Sequence, residues 1–309
     1  MAREMKFVQS PRVSFAALAV CALSLPLAAC TAGGQNEAQP QPSRNITLTI
    51  AIPADATSKA VGHVYADALE HQGYTVKIAK STDAPYEQVA KGQADIAIDT
   101  AVHAVKLAPT ADPRGEDGIL SIEEAADLVN TINQQDLGFT ASPLSAANAG
   151  KVMVISAAEA AEYKIDSVPT AAAACGKLTF VGDAGPSAGL KTALEKAGCA
   201  KPQFATEKAS ALPGTLRTSV DQVVALSAQD ALIGDEGFKI IDGSSQLFDA
   251  APYMPLLGKA VDEDAAKSIK DTTRQLSQEA VIGLNRLAAG PNSVSPQDAA
   301  NRWKWLIDN

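Results

Sequence analysis

The chain has 309 residues, 26 of them Lys or Arg against 35 Asp or Glu, for a formal net charge of −9 and an aromatic content of 5%. An acidic balance of this kind repels nucleic acid, and the histidines, His63, His71 and His103, stand in no C-x-x-C or H-E-x-x-H context, so no metal site and no cofactor motif is expected. The length suits two domains, each able to bury its own core.

Arg3, Lys6 and Arg12 precede an apolar run from Val13 to Leu27, which ends in Leu27-Ala28-Ala29-Cys30. This is the grammar of a signal peptide over 1–29, with Cys30 as the lipidated first residue of the mature chain. A membrane-spanning helix is the alternative, but the run is shorter than the roughly 20 residues a span requires. Each buried methylene of a lipid contributes ~0.8 kcal/mol, and two or more acyl chains anchor stably. Loss of Arg3, Glu4, Lys6 and Arg12 with the signal moves the net charge from −9 to −11. No later apolar stretch is long enough to span a bilayer. From Thr31 to Arg44 the residues are small and polar, which predicts a flexible tether over 30–44.

Ile46 to Ile52 alternates as a strand, Pro53 to Thr57 turns, and Ser58 to Gln72 is a helix stopped at Gly73. Tyr74 to Ala79 is a second strand. Asp83-Ala84-Pro85 starts a helix that runs to Lys91 and ends at Gly92, and Asp95 to Asp99 is a third strand. This order predicts a parallel α/β sheet over 45–148, with ligand contacts beyond the strands' carboxyl ends, at Pro53 to Ser58 and Asp99 to His103.

The same grammar repeats over 149–249. Lys151 to Ser156 and Lys177 to Val181 are predicted strands, and Ala157 to Tyr163 and Gly189 to Ala197 are helices. Thr218 to Ala228 is predicted helical and Ala231 to Gly234 a short buried strand. Over 250–309 the chain returns to the first lobe: Tyr253 to Leu257 recrosses as a strand, and Asp262 to Leu287 and Pro296 to Ile307 are helical. Trp303 and Trp305 lie on different helix faces, so at least one should plug a core. In an oxidising compartment Cys175 and Cys199 form one bridge; the alternative is two buried free thiols.

Ile46 to Val61, Pro85-Tyr86-Glu87-Gln88-Val89-Ala90-Lys91-Gly92-Gln93-Ala94-Asp95-Ile96, Gly189-Leu190 through Gly198, and Ala251-Pro252-Tyr253 carry a likeness in their order and spacing. They resemble the substrate-binding lipoproteins of osmoprotectant ABC importers, the glycine betaine, choline and carnitine type. The resemblance implies an α/β periplasmic-binding-protein (Venus-flytrap) fold, its two lobes joined by strand crossings near Ala146 to Lys151 and Phe248 to Tyr253. It further implies a lipid-anchored protein on the extracytoplasmic face of the cell membrane that closes on a small solute and delivers it to an ABC permease, with no covalent chemistry and no cofactor. The other reading is a lipoprotein of the same fold with an accessory or interaction role and no transport ligand.

Members of that family hold a quaternary ammonium in a cage of rings, each contributing roughly 0.5–2 kcal/mol. Asp99 stands where the family tends to have an aromatic, and the loop Gly182 to Ala188 carries no ring and no arginine. Either carboxylates such as Asp99, Asp235 and Glu236 meet a cationic ligand, or the solute differs in class. The candidate ligand contacts are Asp55, Thr57, Asp99, Thr100, Asp183, Ser187, Asp235, Glu236 and Tyr253. Asp99 with Thr100 points into the cleft or caps the next helix, and His103 is a pH-sensitive cleft residue or a satisfied helix histidine.

Gly185-Pro186-Ser187-Ala188-Gly189 matches the G-x-S-x-G nucleophile elbow, but in the α/β-hydrolase order the histidine follows the serine, and here every histidine precedes Ser187. A hydrolase is therefore disfavoured. Leu190 stands where a P-loop needs glycine. What remains is a helix start whose N–H groups receive an anionic group of a ligand, or one simply capped by Ser187 or Asp183.

Overall fold

The computed structural model describes residues 44–107 and 112–308. The expected signal peptide over 1–29, the lipidation at Cys30 and nearly all of the tether over 30–44 lie outside the described residues.

In β1 (Thr47–Ala51) the strand period of two sends Leu48 and Ile50 to one face and Ala51 to the other. The Asp55 carboxylate accepts the Ser58 N–H at 2.8 Å and so caps α1 (Ala56–His71), which ends before Gly73, a glycine at φ +86°. β2 (Thr75–Ile78), α2 (Pro85–Ala90), β3 (Ile96–Ala97), α3 (Ala101–Ala104), α4 (Ile122–Asn133) and β4 (Phe139–Ala141) complete the first pass. The chain then builds a second lobe from β5 (Lys151–Ile155), α5 (Ala157–Tyr163), α6 (Val168–Ala174), β6 (Thr179–Gly182), α7 (Ala188–Lys196), β7 (Gln203–Thr206), α8 (Leu212–Thr218), β8 (Gln222–Ser227), α9 (Leu232–Asp235) and β9 (Lys239–Ile240). It returns through β10 (Leu256–Gly258) to α10 (Glu263–Gln275), α11 (Gln278–Ala289) and α12 (Pro296–Asp308).

Two five-stranded sheets result, in the orders β2-β1-β3-β10-β4 and β7-β6-β8-β5-β9. β1 is parallel to β2 and β3, as expected, but β10 enters antiparallel between β3 and β4, so the first sheet is mixed. On one face of it Leu48, Ile50 and Ile52 pack with Tyr65 and Leu69 of α1 and with Ile269, Leu284 and Trp303 from the returning helices. Each such fully buried aliphatic side chain contributes ~1.5–3 kcal/mol. On the other face Ala97 and Leu256 meet Tyr86, Leu120 and Leu128. Trp303 is the core plug. The second sheet carries Met153, Ile155, Phe180 and Val223 on one face and Val152, Val154, Val181 and Val224 on the other. Cys175 and Cys199 are bridged, tying the end of α6 to the turn after α7.

Two expectations in the second lobe are corrected. Residues 222–227, within the segment expected as a helix, form β8, because Val223, Val224 and Leu226 fill a central strand parallel to β6 and antiparallel to β5. A short apolar run does not distinguish a buried helix from a strand buried on both faces. Ala231 to Gly234, expected as a strand, leads into the helical turn α9, started by the Asp230 carboxylate accepting the Leu232 N–H at 3.0 Å.

The lobes are joined by two paired chain crossings. Asn148 and Pro252 form an antiparallel bridge, and Ala149 N–H donates to Ala251 O at 2.9 Å. Asn148 Oδ1 accepts from Gly150 N–H and Ala251 N–H, each at 2.8 Å. A Cβ on Gly150 would stand 2.7 Å from Asp249 O, so only glycine allows this approach. Among the described residues no helix is long and apolar enough to cross a membrane.

Candidate functional site

Between the lobes lies a cleft of about 580 Å³. Its first-lobe wall is built where β1 and β3 end, which delivers Asp55, Asp99, Thr100 and His103 to the gap, as the strand-end rule for parallel sheets requires. The returning chain runs alongside: Thr100 and Tyr253 form an antiparallel bridge, and Met254 N–H donates to Asp99 O at 2.8 Å, so Tyr253 stands beside Asp99. The second-lobe wall carries Lys151, Asp183 and Ser187 at its rim and an apolar surface from Met153, Phe180, Leu190, Phe204 and Val223 behind them.

Asp99 is 2% exposed. Its Oδ1 accepts from Thr100 N–H at 2.7 Å and from His103 Nδ1 at 2.8 Å. Its Oδ2 is buried with no hydrogen-bond partner among the described residues. An unsatisfied buried acceptor costs ~1–3 kcal/mol, more when charged. The hydrogen bond to Asp99 raises the His103 pKa above that of a free imidazole, against the opposing effect of burial. Tyr253 is buried, its hydroxyl donates to Gln229 Oε1 at 2.9 Å, and burial pushes its phenol well above the usual range.

The remaining expected contacts divide. Asp183 lines the cleft and is ion-paired with Lys151. Ser187 also lines it, with Oγ accepting the Leu190 N–H at 3.0 Å, the geometry of a helix cap rather than of a nucleophile held by a base. Thr57 is not on the cleft wall: it is buried, and its Oγ1 accepts from Asn285 Nδ2 at 2.9 Å. Asp235 and Glu236 are not on the wall either, which corrects the expectation that their carboxylates meet a cationic ligand. Arg286 Nη2 and Nε hold Asp235 at 2.7 and 2.9 Å, and Arg217 Nε holds Glu236 at 2.7 Å. Both carboxyls are lowered below their ordinary pKa by these guanidinium hydrogen bonds.

Several lining residues were not legible beforehand. Phe180, Phe204 and Phe248, with Tyr253, put aromatic rings on the wall although the loop 182–188 has none. The Phe180 and Phe204 centroids are 5.9 Å apart on adjacent strands of the second sheet. The signal lay in β6 and β7 and not in the loop between β6 and α7. Ile119, from a first-lobe loop, also lines the cleft and rests on the start of α7, where a Cβ on Gly189 would fall 2.4 Å from Ile119 Cδ1. The lobes thus meet at the rim of the cleft as well as at the crossings.

Among the described residues no group of three or more His, Cys, Asp and Glu side chains is placed to hold a metal ion. The cleft has a buried carboxylate and a tyrosine on one side and apolar side chains with rings on the other.

Comparison with known proteins agrees with that architecture. The model of a family described as the substrate-binding domain of ABC-type glycine betaine transport systems matches residues 46–304. No curated protein sequence matches the chain. Among solved structures it is similar to a glycine betaine/carnitine/choline ABC transporter protein, at a TM-score of 0.72 and 14% identity, over 86% of this chain and 99% of that one. It is similar to apo YehZ from Escherichia coli, at 0.63 and 13%, over 84% and 98%. Lactococcal OpuAC, in its closed form with glycine betaine, gives 0.54 and 11%, over 85% and 97%. At these identities the structural likeness shows the two-lobed fold. The match along 46–304 shows the family: the chain belongs to the substrate-binding domains of ABC-type glycine betaine transport systems.

Proposed function

We propose that the protein captures a small cationic or zwitterionic solute between its lobes and passes it to the permease of an ABC importer. The observation that carries this reading is the interlobe cleft itself, with Asp55, Asp99, Thr100 and Tyr253 on one wall and a ring-bearing apolar surface on the other. Solute binding shifts an open-to-closed equilibrium, and the closed form offers the permease a distinct surface. Choline and glycine betaine, named with the solved relatives, define the size class to test first. We assign the contacts to Asp55, Asp99, Thr100, Asp183, Ser187 and Tyr253 of the expected set; Thr57 is buried away from the wall, and Asp235 and Glu236 are exposed and paired with arginines.

The chain is held at the extracytoplasmic face of the membrane by lipid on Cys30, a reading supported by the basic and apolar residues before Leu27-Ala28-Ala29-Cys30. No turnover is expected, since Ser187 Oγ serves as a cap.

A thermal-shift screen across betaines, choline, carnitine, polyamines and amino acids tests the reading. A transport receptor must show saturable stabilisation by at least one of them, about 2.7 kcal/mol at a hundredfold excess over Kd. A melting temperature indifferent to every solute at millimolar concentration rejects it.

A further inference from the structure

Two kinds of small cation make different demands on such a cleft. A zwitterion such as a betaine needs a partner for its carboxylate, and a quaternary ammonium offers no N–H group to an acceptor. The carboxylates on the cleft wall are Asp55, Asp99, Asp183 and Asp249. The wall's lysine, Lys151, is engaged by Asp183, and Arg114 is engaged by Asp112 and Asp249. Ser187 Oγ takes the Leu190 N–H and an Asp55 carboxylate oxygen the Ser58 N–H, so each cap serves one N–H group at the start of α7 and of α1. A ligand carboxylate would meet net negative charge here. For a donor the wall offers the opposite: Asp99, 2% exposed, lines the cleft with its buried Oδ2 unpartnered among the described residues, and Asp55 presents an exposed carboxylate on the same wall. Across the gap Met153, Phe180, Leu190 and Phe204 line the cleft with apolar side chains.

We propose that the solute is an organic cation carrying N–H donors on an apolar body and lacking a carboxylate, a protonated amine or a guanidine, with its head at Asp99 and Asp55 and its body against Phe180 and Phe204. This rests on the cleft being the solute site. The family's trimethylated zwitterions then bind more weakly than amines of matched size.

The test compares pairs that differ only in N-methylation, phenethylamine with phenethyltrimethylammonium and hexylamine with hexyltrimethylammonium, beside glycine betaine, by calorimetric titration of the whole protein. Within each pair the amine binds at least about tenfold tighter, the scale of one charge-assisted hydrogen bond. Asp99→Asn removes that preference and leaves the quaternary member within about twofold. Asp55→Asn, which keeps a competent helix cap, weakens the amines several-fold and secures the test if Asp99→Asn does not fold. A trimethylated probe binding as tightly as its amine counterpart, glycine betaine binding as tightly as either amine, or a preference that survives in both variants overturns the proposal while leaving the solute-receptor reading intact. Failure of every probe, together with a flat thermal-shift screen, overturns both.

Discussion

Asp99 and His103 stand four residues apart, and the hydrogen bond between them makes the first-lobe wall sensitive to pH. The His103 pKa is raised in the folded protein, so the folded state holds this proton more tightly than the unfolded chain. The stabilisation is therefore complete below the unfolded value of about 6.5 and is lost as pH rises through the raised folded value. His103 is largely solvent-exposed, so the gain is small. Solute affinity should run the other way. Asp99 and Asp55 face His103 and favour its protonated form, whereas Lys106 opposes it, and the imidazolium repels a bound cation. Titration of a cationic solute from about pH 5.5 to about pH 8 should show affinity rising, and His103→Ala should flatten that rise. A profile unchanged by the substitution would separate His103 from the site. Asp99 was visible in the sequence because it ends an apolar strand. Asp235 and Glu236 looked equivalent, and their difference was invisible because the neutralising Arg286 lies 51 residues from Asp235 and Arg217 lies 19 residues from Glu236.

Elements announced by local chemistry were legible. Asp55 before α1, Gly73 after it, and Pro85 and Gly92 around α2 mark where helices start and stop whatever the tertiary context. β8 was not legible, because its period is masked when both faces are buried, and only its pairing with β5 and β6 settles its form. The wall of rings has the same cause, since Phe180, Phe204 and Phe248 come together through sheet pairing and the crossing. Two elements make quantitative claims. The Cys175–Cys199 bridge closes a separation of 24 residues in the second-lobe core. Cys175→Ser with Cys199→Ser should cost ~3–4 kcal/mol on the chain-entropy argument, seen as a lowered denaturation midpoint; an unchanged midpoint would show that the packing of α6 on α7 suffices alone. Trp303 of α12 is 4% exposed within the first-lobe core. Trp303→Ala should cost ~3–5 kcal/mol, and a loss under ~1 kcal/mol would mean that α12 contributes little to that core.

Among the described residues the lobes touch at the paired crossings, at the rim contact of Ile119 on Gly189, through the Tyr253 hydroxyl on Gln229, and through α11. From α11, Gln278 Nε2 donates to Ala228 O at 3.0 Å, Asn285 Oδ1 accepts from Ala231 N–H at 2.9 Å, and Arg286 holds Asp235. At the rim a side chain on residue 189 would meet Ile119. Gly189→Val should leave each lobe folded, hold the rim apart and weaken solute binding by at least about tenfold, a loss of ~1.4 kcal/mol; unchanged affinity would mean that closure does not use this contact. The division into two sheets with a returning tail could be anticipated from element order, whereas the meeting of Ile119 with Gly189 could not, because it depends on the relative placement of two separately folded halves. The most direct measurement of the central claim is hydrogen–deuterium exchange of the protein with and without the solute that stabilises it most in the screen. Protection should appear together at 99–103 and 253–254 on the first-lobe wall and at 180–187 on the second. Protection confined to one lobe would contradict a solute held between the lobes.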